Sequence, residues 1–326
     1  MLLSCRVSCA TVVCLAWSAA AIAQGTSESY PVRPVRVLVG LAPGGGTDIQ
    51  TRLIAQKLSE HLGRPFVVEN RMGAGGTVAY ALVAKSPPDG YTLLGVASGY
   101  SITPAVFSRL SYDPVKDFNP VSLAIEAPIL LLVHPAVPAT NVKELIALAK
   151  ARPNALDFGS AGHGTSTHMA MELFKSMAGV KLVHVPYKGT GQALADLLAG
   201  QIPVLFGNIL SCLPYVKAGR LRALAVTSSQ RSAAMPDLPS IAEAGVPGYN
   251  TTTWHGWLAP AGTSKAIVQQ LSTEIAKVVR SPEVMDKMAG DGAVAVGSTP
   301  EHFTRYLVAE IGRWRKVVRD TGVRVE

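Results

Sequence analysis

Cysteine is almost absent from this chain. Cys5, Cys9 and Cys14 sit near the start, and Cys212 stands alone in the remainder. A single thiol closes no internal disulfide, so the protein beyond the first segment must hold together through its core. About 300 residues suffice for that, and Cys212 is expected as one small buried hydrophobe within it. Apolar runs long enough to cross a membrane, ~20 residues, are missing too. The run from Ala10 to Ala23 is shorter, follows the lone charge of Arg6 and closes on "AIA". That order marks a secretory signal (1–23) cut after Ala23. Val13 is too bulky before Cys14 for a lipoprotein anchor. Basic runs interleaved with aromatics are lacking, so no nucleic-acid partner is expected. The formal net charge is +8, or +7 once Arg6 is removed (8 minus 1). The bases that cluster, Arg305, Arg313, Arg315, Lys316, Arg319 and Arg324, read as the solvated face of a terminal helix.

What the chain has is alternation and glycine. "RVLVGLA" (36–42), "FVVEN" (66–70) and "YTLLGVAS" (91–98) read as strands, with helical segments between them. The helix from Thr47 or Asp48 is expected to place Ile49, Leu53, Ile54, Leu58 and Leu62 on one face, stopped by Gly63 and Pro65. Residues 118–135 and 246–263 read as extended crossings. Between them the alternation restarts: Asn141 caps a helix, and strands follow at 156–160, 181–187, 202–208 and 221–228. The rest is helical at 264–280, 282–290 and 300–319. Parallel sheets in two α/β lobes are therefore expected. Lobe 1 takes 24–127 and 254–326, and lobe 2 takes 128–253.

Glycine turns join strand to helix at 44–46, 73–76, 162–164 and 189–191. A helix start exposes unpaired N–H groups with about half a positive charge. Glycine lets an anion reach them without meeting a Cβ. Nucleotide motifs fail. No Gly-Lys-Ser/Thr follows the first loop, and Ile49 stands where a dinucleotide fingerprint needs its third glycine. Two such edges facing across a cleft would grip an acid from both sides. Thr47, Thr77, Thr165, Ser166 and Thr167 add hydroxyls that can cap helices or bond a ligand oxygen. Asp48 reads as a cap or dipole partner, or as the acceptor of a ligand ammonium.

The segments "VRVLVGLAPGGGTDIQTRLIAQKL", "VVENRMGAGG", "PPDGYTLL", "HVPYKGTGQALADLLAGQI", "GRLRALAVTSSQRSAAMPDLPSIAEAGVPGY" and "WLAPAGTS" resemble the tripartite tricarboxylate transporter receptors, or Bug receptors, in order over residues 30–322. The resemblance implies an α/β type II periplasmic binding protein fold, two α/β lobes joined by two extended crossings. It implies a monomer in the periplasm without cofactor, holding a small carboxylate through loop backbone and ordered water. Its partner would be a membrane permease or, alternatively, a membrane sensor. Position by position, the site would comprise Gly44, Gly45, Gly46, Thr47, Asp48, Ala74, Gly75, Ser98 and Tyr100. Across the cleft it would add Ser160, Gly162, Gly164, Thr165, Ser166, His168, Tyr187, Lys188, Gly189 and Asn208. Two departures stand out. Gly207 replaces the family's usual acidic residue, which would remove a carboxylate near the pocket and disfavour an amino ligand. His255 replaces an apolar or aromatic residue, which would make that part of the cleft more polar.

Two rivals remain. Ser166 with His163 and His168 suggests a hydrolase, but the nucleophile-elbow pattern lacks its last glycine and no acid partner is apparent. A metal is not expected either, because His163 and His168 are five apart, poorly placed for one helix face, and His184 lies on a strand.

Overall fold

The computed structural model describes residues 30–290 and 292–323; the leader expected at 1–23 lies outside them. No helix among the described residues is long and apolar enough to cross a membrane.

Two sheets organise the chain. The first contains β1 (Val35–Val39), β2 (Phe66–Asn70), β3 (Thr92–Ala97), β4 (Phe118–Ala127), β10 (Thr253–Pro260) and β11 (Val294–Ala295), in the order β11-β4-β10-β3-β1-β2. The second contains β5 (Ile129–Val133), β6 (Asp157–Ser160), β7 (Val183–Pro186), β8 (Val204–Asn208) and β9 (Arg222–Val226), in the order β7-β6-β8-β5-β9. Only Pro128 separates β4 from β5, so the chain passes from one sheet to the other almost without a break. It returns through β10.

Neither sheet is wholly parallel, contrary to expectation. β1 pairs in parallel with β2 and β3, and β6 with β7 and β8. The crossing segments, however, are themselves strands. β10 inserts antiparallel between β3 and β4, and β5 lies antiparallel between β8 and β9. A direct crossing reverses chain direction, whereas a strand-helix-strand unit preserves it. Prolines at 120 and 128 drew attention away from strand in 118–127. Pro120 is accommodated near the start of β4, opposite Leu258.

The helices are α1 (Gly46–Leu62), α2 (Thr77–Ala84), α3 (Gly99–Val106), α4 (Val142–Ala151), α5 (Ser166–Ala178) and α6 (Thr190–Leu198). They continue with α7 (Ile209–Lys217), α8 (Lys265–Val279), α9 (Pro282–Ala289) and α10 (Pro300–Thr321). Local chemistry sets several ends. Asn141 accepts the Glu144 N–H at 3.0 Å to start α4, and Gly63 ends α1 in the left-handed conformation, φ 66°. Ile54 and Leu58 of α1 are fully buried, but Ile49 faces outward at 55% exposure, because its position falls off the stripe that meets the sheet.

The terminal helix α10 does not belong to one lobe. Phe303, Leu307 and Ile311 pack beside Trp254 and Leu258 of the first sheet. Trp314 and Val317, further along, sit among Leu131, Phe158 and Phe206 of the second. Ile311 and Trp314 are three residues apart, less than one turn, so successive parts of one helix reach both cores.

Candidate functional site

A cavity of about 760 Å³ lies where strand ends and helix starts of both sheets meet. Its wall takes Gly45, Gly46, Thr47, Ala74, Gly75, Ser98, Gly164, Thr165, Ser166, Gly189 and Asn208 from the residues expected by resemblance. The structure thus brings loops far apart in sequence to one cleft. Among the described residues, none that lines it is Asp, Glu, Lys or Arg.

The glycines divide by role. A Cβ on Gly40 would lie 2.6 Å from the Gly76 Cα, so there it is the second loop's backbone that demands a bare residue. Gly46 differs: its φ is ordinary and a Cβ would meet nothing within 4 Å. Neither packing nor conformation requires glycine at 46, and it faces the open cleft.

Several amides inside the first and third turns are already used. Gly44 N–H donates to Asp48 Oδ2 at 2.9 Å, Gly162 N–H to Ser160 Oγ at 3.0 Å and Gly164 N–H to His168 Nδ1 at 3.1 Å. Gly45 N–H donates to the Ala42 carbonyl at 3.3 Å. The first turns of several helices at the cleft are open. No side chain caps α1, α6 or α7. In α5, Thr165 Oγ1 accepts only the His168 N–H, leaving those of Ser166 and Thr167. Four helix starts therefore present unpaired N–H groups at one cavity, each with partial positive charge. The start of α7 was missed in sequence because no glycine turn precedes it and Pro214 lies within it.

Other expected residues lie elsewhere. Tyr100 is fully buried and donates its hydroxyl to the Pro114 carbonyl at 2.8 Å. Asp48 is buried beneath the first loop. Burial works to raise its pKa, but hydrogen bonds from Arg52, Gly44 and Asn70 outweigh that and hold it below the usual carboxylate value. Tyr187 donates to Asp196 Oδ2 at 2.7 Å, and Lys188 is exposed away from the cavity. Gly44, Ser160, Gly162 and His168 take part in the loops' internal hydrogen bonds and are not part of the wall.

The histidine spacing argument is overturned. His163 precedes α5 instead of lying on it, and with His184 on β7 the three rings converge, one nitrogen from each within 4.8 Å of the others. They are poorly arranged for a metal. His168 and His184 stack with centroids 3.8 Å apart and planes 12° from parallel, so no nearby point lies in both ring planes. His168 Nδ1 already accepts from Gly164, and His184 Nε2 lies 2.6 Å from Ser160 Oγ. Burial and the neighbouring His168 and His163 push the His184 pKa down to about 3. The Ser160–His184 pair faces inward, with Ser160 fully buried.

Several cleft residues were not anticipated as site residues: Gln50, Tyr80, Thr103, Phe107, Thr190 and Thr253. Gln50 was legible, because it lies one helical turn beyond Gly46. His255 lines the cavity too, and burial pushes its pKa down to about 4. A second cavity of about 770 Å³ shares Pro128 and Ala293 with this one. Its Arg231 and Arg313 are tied to Glu243 and Glu310, and none of the glycine-turn helix starts opens into it. The cleft is the better candidate despite its marginally smaller volume.

Two α/β lobes around a cleft ringed by helix starts define a solute-binding protein of the periplasmic type. The profile of the tripartite tricarboxylate transporter family receptor matches residues 50–323. The chain belongs to that family of substrate-binding receptors, which is not one of enzymes. It is 36% identical over 307 residues to Protein BugT of Bordetella pertussis, covering 92% of this chain and 93% of that one. An R. palustris protein solved with adipate is 40% identical, with a TM-score of 0.79 over 90% of this chain and 99% of the other. MatC from Rhodopseudomonas palustris, solved with bound malate, is 34% identical, with a TM-score of 0.76 over 89% and 100%.

Proposed function

We propose that this chain is a periplasmic receptor that captures a small carboxylate between its lobes and delivers it to a membrane permease of the tripartite tricarboxylate type. The observation that carries the acid reading is the convergence of uncapped helix starts on a cavity whose wall, among the described residues, has no Asp, Glu, Lys or Arg. Such a site neutralises an acid with fixed peptide dipoles instead of a mobile cation. The amides of Gly46, Thr47, Ser166, Thr167 and Thr190 would donate to ligand oxygens, with Ser98, Gly189 and Asn208 at the rim. Family membership and the adipate and malate seen in similar proteins support the same ligand class.

A ligand that bridges both halves binds the closed arrangement better than the open one, and so shifts the population towards closure. The closed surface is what a permease would recognise. Thermal-shift screening of di- and tricarboxylates, aromatic acids and amino acids tests the first step. A ligand at a hundredfold over its Kd stabilises the native state by about 2.7 kcal/mol. Small-angle scattering with each hit tests the second. Stabilisation by amino acids or sugars but by no plain acid contradicts the carboxylate reading, and a bound acid that leaves the radius of gyration unchanged contradicts closure.

A further inference from the structure

The second cavity lies back to back with the cleft. Along β4, Ile125 and Ala127 line the cleft, while Glu126 between them lines the second cavity. On the returning chain, Thr253 and His255 line the cleft and Thr252 the other side. Side chains alternate across a strand, so the paired crossings form a ribbon with one cavity on each face. The rear wall draws on both halves: the 228–234 loop after β9 on one side, and Arg280, α9 and β11 on the other.

Two charges in that wall are left over. Arg231 and Arg313 are tied to Glu243 and Glu310, but Arg280 and Glu126 form no ion pair among the described residues. Arg280 Nη2 donates to the Val296 carbonyl at 2.8 Å, a neutral acceptor that fixes the guanidinium without cancelling its charge. Glu126 Oε1 accepts from Thr252 Oγ1 at 3.4 Å, and the Tyr306 phenol lies beside it. Neither charge is sealed: Arg280 is exposed and Glu126 partly so. β11 makes them neighbours. Val294 stands opposite Glu126 in the ladder, and Val296 is two residues further on, about 7 Å along the strand. Side chains as long as those of Glu and Arg can span that interval. Between them Val294 is 61% exposed, and Met285 in the same wall is 49% exposed. A cation, a carboxylate and bare apolar surface therefore share one cavity.

A plain acid would answer Arg280 but meet Glu126 with like charge, and a plain amine would do the reverse. A zwitterion answers both. We propose that the rear cavity is a second ligand site, for a free α-amino acid with an apolar side chain, linked to the cleft through the crossing ribbon. Arg280 takes the carboxylate, Glu126 the ammonium, and Met285 and Val294 the side chain. An occupant that touches both lobes binds their open and closed arrangements unequally. It and the acid in the cleft therefore alter each other's affinity by one common factor.

The test is calorimetric titration of the purified chain with leucine, methionine and phenylalanine, with glycine and leucinamide as controls. At least one of the three should bind about tenfold or more tightly than glycine, which lacks the apolar group, and than leucinamide, which lacks the carboxylate. Glu126→Gln and Arg280→Gln should each weaken that binding about tenfold, and Arg280→Lys should retain most of it. Thermal melts confirm that each variant folds, and titration with a plain acid confirms that its cleft still works. Saturating the cleft with that acid should change the amino-acid affinity about fivefold or more without abolishing it. No binding by any of the three, or binding unchanged in both glutamine variants, overturns the site. Outright exclusion of the amino acid by the plain acid places it in the cleft and overturns the site too. Equal affinity with and without the acid overturns the linkage. Failure of every plain acid to bind, with amino-acid binding still lost in Glu126→Gln, contradicts the carboxylate reading of the cleft and supports the rear site.

Discussion

A Cβ placed on Gly207 would lie 2.6 Å from the sulfur of Cys212 and 3.2 Å from Leu132 Cδ1. Position 207 therefore points into the core of the second lobe, away from the cleft. The absence of an acidic side chain there does not strip the pocket of a carboxylate, and the sequence-based argument against an amino ligand falls. Glycine at 207 and the thiol at 212 are instead a packing pair.

Gly207→Ala should cost about 1–3 kcal/mol through overpacking. Adding Cys212→Ala should recover part of that loss, giving a favourable coupling energy in a double-mutant cycle. Urea denaturation of the four proteins measures it. Strictly additive effects would show that the two positions do not share space.

Asp48 receives Gly44 N–H, Arg52 Nε and Asn70 Nδ2 at 2.9–3.0 Å while its own side chain is 4% exposed. Asp48→Asn should lose about 1–3 kcal/mol of stability, because a buried amide cannot accept all of these bonds. It should also weaken acid binding, although Asp48 is not in the cleft wall, because the first loop loses its anchor. Unfolding curves together with titration of any bound acid separate the two effects.

The pH dependence has a definite sign. His184 has a folded pKa of about 3 against an ordinary value of 6.5. Below 6.5 the unfolded chain takes up a proton there that the folded chain refuses. Stability should therefore fall as pH drops from 6.5 towards 3, by about 1–2 kcal/mol at pH 5 after allowance for partial exposure. His255, with a folded pKa of about 4, acts in the same direction. Urea midpoints between pH 5 and pH 8 should slope less in His184→Asn than in the parent. An identical slope would mean the ring titrates normally in the folded state.

Much of this architecture was legible because local patterns and tertiary structure agree. The runs that became β1, β2, β8 and β9 are apolar and bounded by turns, and their ends were placed to within a few residues. β4 and β10 read only as extended chain, because antiparallel insertion is a tertiary event that their own residues do not announce. α3 and α7 were lost behind Pro104 and Pro214, each inside a short helix. In the site, glycine turns pointed to Gly46, Gly75, Gly164 and Gly189. Spacing could not show that Gly44 and Gly164 spend their amides on Asp48 and His168, nor that Tyr100 turns inward to Pro114. Those outcomes depend on which side chain folds back on its own loop.

The central claim is that peptide N–H groups at helix starts, and no basic side chain, hold the acid. A crystal structure of the chain with an acid chosen by thermal shift addresses it most directly. Carboxylate oxygens are expected within about 3.2 Å of the amides of Gly46 or Thr47 on one side and of Ser166, Thr167 or Thr190 on the other. A ligand gripped chiefly by lysine or arginine, or seated away from these helix starts, refutes the claim.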